Sequence, residues 1–148
     1  MKNATNTILK AGLIAGFLDG SAAVILLANM KFQFLFQYIA SGLLGKSAFE
    51  GGTLMVIYGI LIHFAIALIF TIFFFFIFKK IPLKNQKIIV GLLYDIFVWF
   101  VINLGILPFS SIKTSSFTVE GVMKNIAILM ICVGLPISLI IHKYYEAE

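Results

Sequence analysis

The sequence predicts an all-α fold: an integral membrane four-helix transmembrane bundle with an amphipathic outer-face segment between its first two helices. Three observations lead there. Of 148 residues, 61% are hydrophobic and only 11% charged, against about 45–50% and about 25% in a soluble domain. Mean hydropathy is +1.10, and that much apolar surface exceeds what one small core can hide. Four runs each supply the roughly 20 mostly apolar residues that a helix needs to cross a bilayer. Intrinsic disorder, a secreted disulfide scaffold and nucleic-acid binding are disfavoured together.

The four runs are 8–30, 53–78, 88–108 and 118–141, within a single transmembrane domain spanning 1–148. In lipid each segment must close its own backbone hydrogen bonds, so helices are required; the alternating pattern of a barrel is absent. The first run follows a short basic start, as a signal peptide does. It continues past Asp19 to Met30 with no small-residue cleavage site, and reads as a retained helix.

Orientation follows from lysine. The chain has eleven lysines and no arginine. With the N-terminus in the cytoplasm, Lys2, Lys10, Lys79, Lys80, Lys84, Lys87 and Lys143 fall inside; Lys31, Lys46, Lys113 and Lys124 fall outside. Seven against four predicts both termini inside. Pro82, in the KKIPLK turn, blocks continuation of the second helix. The lack of guanidinium groups argues again against a nucleic-acid partner.

The other connections differ in character. Between Lys31 and Gly52, the apolar residues Phe32, Leu35, Phe36, Ile39, Leu43 and Leu44 recur at helical spacing between Gln33, Gln37, Ser41 and Lys46. Residues 32–50 therefore read as an interfacial helix, on the outer leaflet or slightly re-entrant. Gly42, Gly45, Gly51 and Gly52 make its end bendable. The stretch SSIKTSS (110–116) reads as a polar turn capping the fourth helix. Glu120 and Lys124 are spaced to pair across one helical turn.

Small and polar residues at four-residue spacing mark the inward face of each helix. On the first these are Gly12, Gly16 and Gly20, with Asp19 alongside. On the second they are Gly59, His63, Ala67 and Thr71. On the third they are Gly91, Asp95, Trp99 and Asn103. On the fourth they are Gly121, Asn125, Leu129, Cys132 and Pro136. Gly12, Gly16, Gly20, Gly59 and Gly91 are the expected packing positions, because small residues let backbones approach in lipid. The opposite faces, Phe73–Phe76 above all, should meet lipid.

Asp19, His63, Asp95 and Asn103 are the candidate ligand or proton pathway. Counting from the lysine-rich helix ends, Asp19 lies roughly 16 Å deep, His63 and Asn103 roughly 22 Å, and Asp95 roughly 10 Å, within reach of water. A carboxylate near mid-bilayer costs about 2.5–3.5 kcal/mol on the lenient insertion scale. Asp19 must therefore take a proton, pair, or face water. Two readings stand open for it: a proton- or cation-binding group, or a hydrogen-bonded tie between helices. The same pair is open for His63, as relay or as neutral imidazole bonded to Asn103 or a backbone carbonyl.

Trp99 reads as packed or interfacial, and Cys132 as a small hydrophobe. Pro136 should kink the fourth helix. No nucleophile elbow, zinc signature or phosphate loop is present. No catalytic residue, metal or cofactor is expected, and the protein is not expected to be an enzyme.

The strings IASGLLGKSAFEGG (39–52), GLLYDIFVW (91–99) and CVGLPISL (132–139), with Leu18-Asp19-Gly20, resemble a set of uncharacterised bacterial four-helix inner-membrane proteins. The resemblance covers most of the chain. It implies bacterial inner-membrane placement and four helices, and no activity. The expected partners are the lipid bilayer and, through the glycine-faced first helix, a second copy of the chain. The expected function is passage of a small solute or ion, with a non-transporting accessory or scaffold as the alternative.

Overall fold

The structure is a computed structural model that describes residues 3–81, 85–111 and 118–146. Lys2, Pro82, Lys84, Lys113 and most of the SSIKTSS stretch lie outside the described residues. Among the described residues there are six α-helices, α1 (Ala4–Ala22), α2 (Phe32–Leu44), α3 (Gly52–Phe78), α4 (Lys87–Phe100), α5 (Val119–Leu129) and α6 (Leu135–Tyr145), with short π and 3-10 turns after α1, α2, α4 and α5. They make four apolar spans: Ala4–Leu27, Gly52–Phe78, Lys87–Phe109 and Val119–Tyr145. All four expected spans are present, with ends shifted by a few residues.

Three of the four spans carry a π-turn, in which the ladder widens from four residues to five. Ala28 N–H reaches the Ala23 carbonyl, Leu107 N–H reaches Ile102, and Leu135 N–H reaches Met130. The last two precede Pro108 and Pro136. A proline ring cannot sit over the carbonyl four residues back, so the preceding turn widens to admit it. The kink expected at Pro136 takes this form, and it divides the fourth span into α5 and α6.

The spans close on one another in chain order. α1 lies along α3 and also touches α6; α4 lies along α6 and the π-turn before it. α3 and α4 meet through aromatic side chains. The Tyr94 hydroxyl donates to the Phe70 carbonyl at 2.6 Å, Phe74 packs on Tyr94 and Phe73 stacks on Phe97. The core of Phe74, Phe78, Tyr94, Ile137 and Ile141 sits toward the end carrying Lys79 and Lys80. At the opposite end the bundle loosens: α5 buries only Ile128.

Leu54, Leu61, Ile69 and Phe76, seven or eight residues apart, are each more than half exposed and form the lipid face of α3. The Phe73–Phe76 run does not lie wholly on that face. Phe74 and Phe75 are buried, because four consecutive residues wrap all the way round a helix. The fourth-span stripe is also corrected. Gly121 is exposed, and the buried face is Ile137, Ser138, Ile141 and His142. The cap of that span is Thr118, whose hydroxyl accepts from Gly121 N–H. Glu120 and Lys124 pair at 2.6 Å as expected, both in the open.

α2 does not float free as a surface helix. It docks on the N-terminal half of α3, and Gly59 is what allows it: a Cβ there would land on the Phe36 carbonyl. The Gln37 side-chain amide reaches the Gly52 carbonyl at 3.5 Å, and Ser111 N–H donates to the Gly42 carbonyl at 3.1 Å. Gly45 and Gly52, at φ of 68° and 57°, supply the left-handed backbone of the turn between α2 and α3.

Candidate functional site

The polar residues gather in two places on either side of the π-turn Met130–Gly134. The first joins α1 and α3. The glycine stripe of α1 faces α3, with Gly12 on Leu68, Gly16 on Phe64 and Gly20 on His63. This close contact brings His63 Nε2 to 2.8 Å from the Gly16 carbonyl oxygen and 4.0 Å from Asp19 Oδ2. A carbonyl only accepts, so Nε2 carries the hydrogen. The Asp19 and His63 side chains keep 21% and 12% of their surface accessible. Phe36 of α2 and Phe64 pack edge-on against the imidazole.

The two residues are level in the bilayer, although counting from the expected helix ends separates them. α1 begins at Ala4 instead of Ile8, and the added turn, roughly 6 Å, moves Asp19 to the depth of His63.

The second place joins the third and fourth spans. α4 and the fourth span cross where Gly91 faces Gly134: a Cβ at Gly91 would stand 2.7 Å from the Gly134 carbonyl oxygen. One turn on, Asp95 Oδ2 accepts the N–H of Gly134. Ser138 Oγ donates to the Lys87 carbonyl at 2.6 Å. Asp95 is fully buried, and its Oδ1 has no hydrogen-bond partner. Counting depth placed this carboxyl within reach of water; the fourth span covers it instead.

The π-turn touches both α1 and α4. Cys132 lies on that turn, and Gly134 at its end holds Asp95. Asn103 stands apart. Its amide donates to the Trp99 carbonyl of its own helix at 3.0 Å, so it partners neither His63 nor Asp95 in the hydrogen bonds described. Trp99 is buried.

Chemically, the first place can hold or pass a proton between a carboxyl and an imidazole. The second can bind a proton or anchor two helices. Among the described residues no three His, Cys, Asp or Glu side chains gather as a metal set. Gly134, Ser138 and Phe36 are the participants the sequence reading missed. Gly134 and Ser138 carry a signal, since they are small residues four apart around Pro136. Phe36 carries none, because nothing in its own segment says which helix it will meet.

Four long apolar helices with lipid-facing flanks define a multi-pass membrane protein. No family model, curated protein or solved structure matches the chain.

Proposed function

We propose that this protein passes a small solute or ion across its membrane, linked to protons through Asp19 and His63. The observation that carries the reading is their pairing. An acid and a base from different spans stand 4.0 Å apart inside the bilayer, both partly accessible. Intramembrane acids are costly and mark pathways and proton relays. Asp95, bonded to the π-turn that touches α1, extends the polar region toward the lysine-rich end. Asn103, at about the depth of His63 on the third span, belongs to the same proposed path. The role is non-enzymatic.

Proteoliposomes carrying an internal pH dye test this. Asp19→Asn and His63→Ala should abolish dye response while the protein stays folded. Wild-type flux in both variants would sink the assignment.

A second reading has its own observation. The Asp95–Gly134 bond and the Gly91–Gly134 contact serve packing as they stand, as in a non-transporting accessory or scaffold protein. Under it, no flux exists to lose, and variants at Asp95 alter only thermal stability or co-purification.

We also propose a bacterial inner-membrane location with both termini in the cytoplasm, from the seven-to-four lysine bias. Labelling of single cysteines placed near each terminus checks it. A homo-oligomer would have to form through a lipid-facing surface, since α3 already covers Gly12, Gly16 and Gly20.

A further inference from the structure

α3 and α4 touch through long aromatic side chains, and this leaves a gap between their backbones. An open groove of 410 Å³ runs there. Its deep end is closed by the Phe73–Phe97 stack, with ring centroids 5.7 Å apart. From there it runs past Ile77 and Leu93 to a mouth at Ile81 and Val90, roughly 12 Å along α3. The walls are apolar throughout; even Tyr94 turns its hydroxyl away, to the Phe70 carbonyl.

Lysines flank the mouth along the chain. Ile81 directly follows Lys79 and Lys80, and Val90 sits one turn after Lys87. Lys80 and Lys87 are exposed, whereas Lys79 lies over the Tyr145 ring, 4.8 Å from its centroid. Between Phe73 and Tyr94 the sequence holds four lysines and no acid. An apolar slot open to lipid, with positive charge where it reaches the interface, matches one chemistry: a chain that is apolar along its length and anionic at its head. Basic pockets between spans take anionic headgroups in this way, and each lysine near the surface contributes to the attraction.

We infer that the α3–α4 groove is a binding site for an anionic phospholipid. One acyl chain lies in the groove against Ile77, Leu93 and the Phe73–Phe97 stack, and the phosphate head meets Lys80 and Lys87. The site is separate from Asp19 and His63, and the inference stands whether or not the protein transports anything.

The test reconstitutes the full-length protein in vesicles of equal phosphatidylglycerol and phosphatidylcholine, re-extracts it in mild detergent and quantifies retained lipid by mass spectrometry. Wild type should retain phosphatidylglycerol preferentially. The preference should fall about fivefold for each lysine lost in Lys80→Gln and Lys87→Gln, and vanish in the double variant. Both side chains are exposed, so the fold is not at risk. Leu93→Trp, which fills the groove without changing charge, should lower retention of both lipids, while Leu61→Trp on the lipid face of α3 should not. Equal retention of the two lipids by wild type overturns the inference. So does an unchanged preference in the double lysine variant, or an equal loss in Leu93→Trp and Leu61→Trp.

Discussion

The carboxyl of Asp95 on α4 accepts a hydrogen bond from the main-chain N–H of Gly134 on the neighbouring span. The donor is the last residue of a π-turn just ahead of Pro136. The carboxyl gets close because Gly134 and Gly91 have no side chains to hold the backbones apart. Three local features of two separate helices thus converge on one bond.

Removing the acceptor leaves Gly134 N–H in a buried site with no side-chain partner, at a cost of about 1–3 kcal/mol. Asp95→Ala should lower stability by that amount. Asp95→Asn keeps an acceptor oxygen and should lose less. Thermal unfolding in detergent measures both; identical midpoints for Ala, Asn and wild type would show the bond contributes nothing.

Gly59→Val should detach α2. The added side chain would occupy the place of the Phe36 carbonyl, and overpacking of this kind costs about 1–3 kcal/mol. A cysteine at Gln37, which is buried, should then react with a water-soluble maleimide several-fold faster. Gly105→Ala is the contrast: nothing lies within 4 Å of a Cβ there, so labelling at position 37 should stay at its wild-type rate.

His63→Phe separates packing from chemistry. A phenyl ring keeps the edge contacts to Phe36 and Phe64 but loses the nitrogen facing Gly16 and Asp19. Stability should fall by about 1 kcal/mol, the net value of one hydrogen bond, while the proposed proton-linked flux disappears. Retained flux would place the relay elsewhere.

Ser138→Ala removes the bond to the Lys87 carbonyl, and interhelical bonds in membranes average about 0.6 kcal/mol. Ser138→Leu should cost several times more, because Ser138 Cβ already stands 3.0 Å from the place a Gly91 Cβ would take. The ratio of the two losses, read from unfolding midpoints, reports how tightly the third and fourth spans cross.

The spans were legible because a bilayer demands long uninterrupted apolar runs. Of the glycines at four-residue spacing, Gly59 and Gly91 face neighbouring backbone, Gly12 faces Leu68, and Gly16 and Gly20 face the side chains of Phe64 and His63. Partners were harder. Periodicity shows that Gly59 faces a neighbour, but not that the neighbour is α2. Depth by counting failed for Asp19, whose helix starts one turn early; for Asp95 it missed only the cover, which comes from a span far along the chain. π-turns fall outside a 3.6-residue pattern, so the π-turn that ends at Gly134 left no periodic trace.

The contact between Phe36 and Gly59 also constrains biogenesis. α2 is synthesised before α3, yet its docking surface is α3 itself. The Phe36 ring, moreover, reaches toward both Gly20 of α1 and His63 of α3. The docking of α2 therefore cannot be completed until α3 has been made. The contacts of this half of the protein close out of translational order.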